Sequence, residues 1–206
     1  MEFKYYSFKL SGIMLLVFLA QVIFNGFTDI FLLNQSSWIQ AWRFLTSIFL
    51  HGGIAHLLLN LFALVLFGSI LERLIGSKRF LLVFFITGIF ANLISVNFYS
   101  SSLGASGAIF GIIGALVVIR PMMPIWAFGM PLPMFVAGIF WAAADILGAV
   151  GFFAGNPIDN TGNIAHLSGM FFGLFFGFLY KKKRKRRIGI SLSEPHMRAW
   201  EDRYLK

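Results

Sequence analysis

The hydrophobic positions of this chain fall into six long apolar stretches that short polar segments separate. A helix needs roughly 20 mostly apolar residues to cross the hydrocarbon core of a bilayer. The pattern therefore predicts an all-α polytopic membrane protein, with a membrane domain over residues 1–180 and a basic tail over residues 181–206. The six predicted helices are Leu10–Phe27, Gly53–Leu71, Phe80–Phe98, Ser106–Ile119, Pro131–Phe153 and Asn163–Tyr180.

The composition agrees with a protein that faces lipid. Of the 206 residues, 58% are hydrophobic and 12% are charged, whereas a soluble domain is about half apolar and about a quarter charged. The chain contains no cysteine. This excludes disulfide frameworks, thiolate nucleophiles and cysteine-based metal sites.

The net charge of +9 raises the question of a nucleic-acid partner. Much of this charge lies in one run, residues 181–187, which directly follows the last apolar stretch. A basic run in this position is typical of a juxtamembrane anchor that binds anionic lipid. We therefore expect anionic lipid at the tail, and no nucleic acid.

The basic residues also predict the orientation of the chain. If both termini are cytoplasmic and six helices alternate, Arg43 is the only one of the 17 Lys and Arg residues outside. Such an asymmetry is what the positive-inside rule describes. We therefore predict that both termini lie in the cytoplasm.

Polar side chains occur near the beginning of the second, fourth and sixth predicted helices. These side chains are His56, Asn60, Ser106 and His166. In the predicted topology all three helices run from outside to inside, so the four side chains lie at similar depth. Because polar groups are costly inside a membrane, such a cluster indicates a functional site.

A hydrogen bond between a serine and a histidine needs about 2.6–3.2 Å between heavy atoms, so the two helices must approach closely. Stripes of small residues allow membrane helices to do so. Glycines follow each candidate on one helical face: Gly107, Gly111 and Gly114 after Ser106, and Gly169, Gly173 and Gly177 after His166.

The fourth apolar stretch is short for a membrane span. About fifteen residues give roughly 22 Å, less than the roughly 30 Å of the hydrocarbon core. Its outer end is therefore expected below the membrane surface, with the loop of Ser100, Ser101 and Ser102 dipping inward. Irregular backbone at this depth requires surrounding protein or a water-filled cavity, and hydrolysis within a membrane needs the latter.

Other polar residues admit more than one interpretation. His51 and His56 lie about 140° apart on a helix and lack the spacing and glutamate of a zincin site, so we predict no metal. Asp145 could complete a catalytic triad, line the cavity or bond a neighbouring helix, and the structural roles are favoured. Glu72 and Arg73 are interpreted as a local pair at the inner end of the second helix.

Taken together, these motifs resemble the rhomboid intramembrane serine proteases, over about Trp42–Gly177. The shared elements are Trp42-Arg43, the spacing of His56 and Asn60, Gly104-Ala105-Ser106-Gly107, and Ala165-His166 with Gly169. The resemblance implies a six-helix rhomboid-like bundle of the minimal prokaryotic type, located in the cell membrane. It also implies cleavage of other transmembrane proteins without cofactor or metal.

The resemblance assigns a role to each site residue. Ser106 is the expected nucleophile and His166 the expected base. The oxyanion is expected to bind to His56, Asn60 and the backbone N–H of Ser106. Gly104, Gly107 and Gly169 support the motif, and Phe110 has the position of an aromatic residue that stacks on the histidine.

Two other functions were weighed against a protease. A non-catalytic rhomboid-like binder, a pseudoprotease, would lack one or both catalytic residues, and this chain has both. A transporter would often show inverted repeats with interrupted helices in paired positions, and the sequence shows no such duplication.

Overall fold

The computed structural model describes residues 3–127, 129–156, 162–181 and 194–204. Apart from Lys181, the basic run of residues 181–187 lies outside the described residues, so its predicted lipid contact stays a prediction. The helices, in chain order, are α1 (Tyr6–Ile23), α2 (Phe27–Phe31), α3 (Arg43–Thr46), α4 (Ile54–Ala63), α5 (Ser69–Ile75), α6 (Ser77–Ser95), α7 (Ser106–Ile119), α8 (Met134–Phe153), α9 (Asn163–Tyr180) and α10 (Glu194–Tyr204).

The apolar helices confirm the predicted fold class of an all-α polytopic membrane protein. A π-helical turn over Leu64–Gly68 joins α4 to α5, so that residues 54–75 form one long span. Within the described residues, five helices are long and apolar enough to cross a membrane, and α7 is a shorter apolar helix. The bounds of α7 and α9 are those predicted from the sequence.

Two short antiparallel strand pairs complete the fold. Strand β1 (Leu33–Asn34) pairs with β2 (Ser101–Ser102), which ties the segment between α1 and α4 to the loop before α7. Strands β3 (Pro124–Ala127) and β4 (Met130–Pro133) form a hairpin before α8. The fifth helix was predicted to begin near Pro131, but Pro131 and Pro133 lie in β4 and α8 begins only at Met134.

Helix α7 lies at the centre of the bundle, and most of its side chains are buried. Its backbone touches that of α9, because added methyl groups at Gly169 and Gly173 would overlap the carbonyl oxygens of Gly107 and Gly111. The predicted glycine faces are therefore confirmed. Apolar surface alone does not drive helices together in lipid, and close approach of this kind supplies van der Waals contact instead.

Gly111 also lies against Thr87 of α6. The Thr87 hydroxyl is buried and donates a 2.7 Å hydrogen bond to the carbonyl of Val83, one turn earlier in its own helix. Helix α7 is thus held between α6 and α9 by contacts that only small residues permit.

Glu72 does not form the predicted local pair with Arg73. Its fully buried carboxylate accepts hydrogen bonds from the backbone N–H groups of Tyr6 and Ser7, each at 3.1 Å, and from the Ser77 hydroxyl at 2.6 Å. The guanidinium of Arg73 lies over the ring of Phe3, 4.9 Å from its centroid. Glu72 therefore caps the beginning of α1, whose N–H groups have no acceptor within the helix.

The segment between α1 and α4 is fixed by buried polar side chains. Arg43 is 7% exposed and donates through Nη1 to the carbonyls of Asp29 and Leu32, at 2.7 and 2.8 Å. The amide of Asn92 in α6 donates to the Phe44 carbonyl at 2.8 Å. Both groups satisfy loop carbonyls that are otherwise costly to bury.

The orientation can be tested with single cysteines, because the chain has none of its own. Lys78 and Ser101 are both exposed. Lys78 lies at the beginning of α6, and Ser101 lies in the loop that follows the end of α6. With both termini in the cytoplasm, Ser101→Cys should react with a membrane-impermeant maleimide on intact cells. Lys78→Cys should react only after the membrane is opened, and its labelling on intact cells would contradict the predicted topology.

The contact between α7 and α9 predicts that Gly173→Ala is destabilising. The added methyl group would overlap the Gly111 carbonyl, and overpacking of this kind costs about 1–3 kcal/mol in free energy of unfolding. A matched control is Gly12→Ala in α1, where nothing lies within 4 Å of the added carbon. Thermal unfolding in detergent should show a lower Tm for Gly173→Ala alone, and equal Tm values would refute the close contact.

Candidate active site

One cavity lies where α4, α7 and α9 begin. Its volume is about 1050 Å³, and its lining includes His56, Asn60, Ser106 and His166. The structure therefore brings together the four polar side chains that the sequence predicted to converge. The cavity also extends to α8, through Trp141 and Phe152.

Ser106 is the first residue of α7. The preceding residue, Ala105, has no side-chain oxygen, and no side-chain hydrogen bond caps the helix. The first N–H groups of a helix have no acceptor within it, and they carry the positive end of the helix dipole. The hydroxyl and the backbone N–H of Ser106 thus lie at a helix end that favours negative charge.

Gly104 has a backbone conformation and surroundings that exclude a side chain. Its φ is +120°, and a Cβ atom here would lie 2.7 Å from Cε1 of the His56 ring. Its N–H donates to the carbonyl of Ser47 at 2.9 Å. The predicted supporting role of Gly104 therefore has two physical reasons: the turn into Ser106 and the space for His56.

His166 lies in the first turn of α9, and its ring is held from two directions. It stacks on Phe110, with ring centroids 4.3 Å apart and an interplanar angle of 8°, so the predicted stacking is confirmed. Its Nδ1 atom is hydrogen-bonded to Oδ1 of Asp145, at a distance of 2.9 Å. The histidine and aspartate side chains are 13% and 8% exposed.

The sequence left three roles open for Asp145 and favoured the cavity wall or a hydrogen bond to a neighbouring helix over a catalytic triad. In the structure Asp145 does bond a neighbouring helix, α9, and its partner there is the predicted base itself. A signal was present in α8: Gly138, Asp145 and Gly148 are spaced seven and three residues apart, and all three are buried. Such a stripe marks the face that approaches other helices.

His56 and Asn60 lie one turn apart on α4. The side-chain amide of Asn60 has two N–H groups. One of them donates to the His56 carbonyl at 2.8 Å, and the other can donate to a further acceptor. Nδ1 of His56 accepts from the N–H of Gly52 at 3.4 Å. The hydrogen of a neutral His56 ring therefore sits on Nε2.

His51 supports His56 from the loop before α4. The two rings meet edge to face, with centroids 5.2 Å apart. Burial, and to a lesser degree the neighbouring His56, lower the pKa of His51 to about 4, although the hydrogen bond with the Phe49 carbonyl acts in the opposite direction. The His51 ring is therefore neutral near pH 7 and does not place a positive charge beside His56.

Tyr99 connects the loop before α7 to the beginning of α9. The N–H of Ile164 donates to the Tyr99 hydroxyl oxygen at 3.1 Å. This hydrogen bond satisfies one of the free N–H groups in the first turn of α9, two residues before His166. The loops around the site are thus joined to one another at the level of the cavity.

Comparison with known proteins identifies the family. The sequence model of the Rhomboid domain matches residues 38–183. "Rhomboid protease GluP" of Bacillus subtilis is 42% identical over 145 residues, which are 68% of this chain and 26% of that protein. "Rhomboid protease GlpG" of Haemophilus influenzae is 29% identical over 192 residues, which are 87% of this chain and 92% of that protein.

"RHOMBOID-like protein 1" of Arabidopsis thaliana is 33% identical over 144 residues, which are 68% of this chain and 35% of that protein. The chain therefore spans only about a quarter to a third of the length of this relative and of GluP. Residues 38–183, which the domain model matches, include all residues that line the cavity and every residue of the candidate site. Because the domain model covers most of its length, this membrane protein belongs to the rhomboid family.

Proposed function

We propose that this protein is a serine endopeptidase that cleaves transmembrane segments of other membrane proteins near their outer ends. Ser106 is the nucleophile and His166 the base. The observation that carries this proposal is that both side chains line one cavity, on helices whose backbones touch one turn further down. This close contact is consistent with one substrate peptide bond meeting a residue of α7 and a residue of α9 together.

The reaction follows the general course of nucleophilic acyl transfer. Nε2 of His166 takes the hydroxyl proton of Ser106, while the Ser106 oxygen forms a bond to the carbonyl carbon of the substrate. The resulting imidazolium gives its proton to the leaving amine, and the C–N bond breaks. A water molecule then loses a proton to His166 and forms a bond to the acyl carbon. The bond between this carbon and the Ser106 oxygen breaks, His166 returns its proton to that oxygen, and the new carboxyl group is released.

The tetrahedral intermediate carries a negative oxygen, which needs donors that are already in place. Three donors are suitable: the Ser106 backbone N–H at the beginning of α7, Nε2–H of His56, and the second N–H of the Asn60 amide. The Gly52 contact supports the His56 assignment, because it leaves the ring hydrogen on Nε2. The dipole of α7 acts in the same direction.

The lining of the cavity favours an apolar chain as substrate. Between α4 and α8 the wall is formed by Leu59 and Phe62 on one side and by Trp141 and Phe152 on the other. Phe67, in the π-helical turn, contacts Trp141 edge to face at 5.7 Å. These side chains suit a substrate segment that arrives from lipid, whereas the polar groups lie at the helix beginnings.

A stable helix cannot offer its peptide bond to Ser106, because each carbonyl is hydrogen-bonded and shielded. Local unwinding in lipid exposes backbone groups that cost several kcal/mol each unless protein or water receives them. We therefore expect substrates with Gly, Pro or small residues near the outer end, where the polar cavity can receive the freed groups.

The nucleophile is tested with a single-span reporter that carries Ala-Gly residues near its outer end. Cleavage in proteoliposomes should be abolished in Ser106→Ala and His166→Ala, and a reporter filled with leucine at those positions should be cut much more slowly. A fluorophosphonate probe should label the wild-type protein but not Ser106→Ala. The matched control is Ser102→Ala, which removes a hydroxyl from the same cavity and should keep both activities.

Cleavage by Ser106→Ala would refute the proposed function. Equal cleavage of the two reporters would refute the unwinding argument alone, since it would show that the intrinsic stability of the substrate helix does not limit the reaction.

The oxyanion donors are tested by substitution in α4. Asn60→Ala should lower kcat by about 100–1,000-fold, the scale of one lost oxyanion donor, with little change in KM because the interaction forms mainly in the transition state. The double variant His56→Ala/Asn60→Ala should lose more. Unchanged kcat in the folded double variant would remove both side chains from the mechanism.

A further inference from the structure

We propose that Asp145 is a positioning residue that holds His166 in the tautomer able to accept the Ser106 proton. This inference rests on the proposed function, and it adds a third member to the Ser106–His166 pair. It follows from the contacts of the His166 ring, from the chemistry of a carboxylate, and from the way α8 approaches its neighbours.

The contact is direct and enclosed. Nδ1 of His166 and Oδ1 of Asp145 are 2.9 Å apart, and little of either side chain is exposed. Phe110 covers one face of the imidazole and so restricts the tilt of the ring. Stacking alone would still let the ring turn within its own plane. The hydrogen bond from Nδ1 to Asp145 prevents this rotation.

The same contact selects the tautomer. A neutral imidazole carries one hydrogen, and an ionised carboxylate can only accept hydrogen bonds. With Asp145 as acceptor, the hydrogen sits on Nδ1 and the lone pair sits on Nε2. This is the arrangement that the reaction requires, because the opposite tautomer has no lone pair at Nε2 to take the Ser106 proton.

A carboxylate is a costly choice for a purely structural hydrogen bond at this place. Asp145 is 6% exposed, and within the part of the chain that the structure describes its Oδ2 atom has no hydrogen-bond partner. A neutral amide of the same size could bond a neighbouring helix without burying a charge. The charge does gain a function when His166 becomes an imidazolium, since a fixed negative group beside Nδ1 stabilises that form.

The fold places Asp145 against His166 through two close approaches of α8. At Gly138 an added Cβ would lie 2.6 Å from the side chain of Val117 in α7, and at Gly148 it would overlap the Asn163 amide in α9. Asp145 lies between these two points on the same buried face. These two approaches hold α8 close to α7 and α9. A short aspartate side chain in α8 can therefore reach the His166 ring.

The test separates positioning from structural support with two substitutions in the full-length protein. Asp145→Asn keeps the size and the capacity to hydrogen-bond, whereas Asp145→Ala removes both. A structural role predicts that Asn restores stability and kcat relative to Ala. A positioning role predicts that Asn preserves the Tm but lowers kcat by about 100-fold or more at unchanged KM, because its N–H group favours the wrong tautomer. The corresponding change in a soluble serine protease costs roughly 10⁴-fold.

The tautomer itself can be read by nitrogen-15 NMR of labelled histidine in the Ser106→Ala background, where no turnover occurs. With Asp145 present, Nδ1 of His166 should show the shift of a protonated nitrogen and Nε2 that of an unprotonated one. In Asp145→Asn the two assignments should exchange. The matched control is Ser168→Ala, which removes a hydrogen bond from the Ser168 hydroxyl to the Ile164 carbonyl in the same helix and should change neither the tautomer nor kcat.

Wild-type kcat in Asp145→Asn, or an unchanged tautomer in that variant, would overturn the role of Asp145. Neither result would touch the proposed function, which fails only if Ser106→Ala cleaves the reporter or the wild-type protein does not.

Discussion

The direct contact between the backbones of α7 and α9 is the constraint on which the rest of the site depends. Gly107 and Gly169 meet at the level of the cavity, and Gly111 and Gly173 meet one turn below. No side chain separates the helices there, so residues one turn higher project into the same space. The stacking of Phe110 in α7 on His166 in α9 joins the same two helices.

Buried charges have two different uses in this fold. Arg43 and Glu72 bind backbone groups: the guanidinium satisfies carbonyls of the first loop, and the carboxylate satisfies N–H groups at the beginning of α1. Each thereby replaces the water that the backbone would otherwise need. Asp145 binds another ionisable side chain instead. This difference in partner sets it apart from the charges that only hold the fold together.

The helices and the four polar side chains of the site could be predicted from the sequence because their signals are local. Apolar stretches define spans, and the cost of a polar group in lipid points to function. Asp145 and Glu72 could not be placed in this way. The partner of Asp145 depends on how α8 is rotated against α9, and Glu72 bonds to residues more than 60 positions away. The buried stripe of Gly138, Asp145 and Gly148 marks the face of α8 that approaches other helices, but it does not say which residue Asp145 meets. The contacts of Glu72 have no periodic trace in the sequence.

The β3–β4 hairpin could not be predicted from the sequence, for a related reason. Prolines disfavour a helix but do not say which turn or strand replaces it, and the hairpin register is set by pairing between residues 124–127 and 130–133. The same limit applies to β1 and β2, since strands of two residues are too short to show an alternating pattern.

The loop over residues 96–105 is fixed at three points, and this limits how its length can vary. Strand β2 pairs with β1, the N–H of Gly104 donates to the Ser47 carbonyl, and Tyr99 accepts from Ile164. Surface loops ordinarily tolerate insertions and deletions. Here an inserted residue would either break one of these bonds or displace the beginning of α7, and Ser106 with it. A segment that looks variable by composition is therefore as restricted in length as a buried helix.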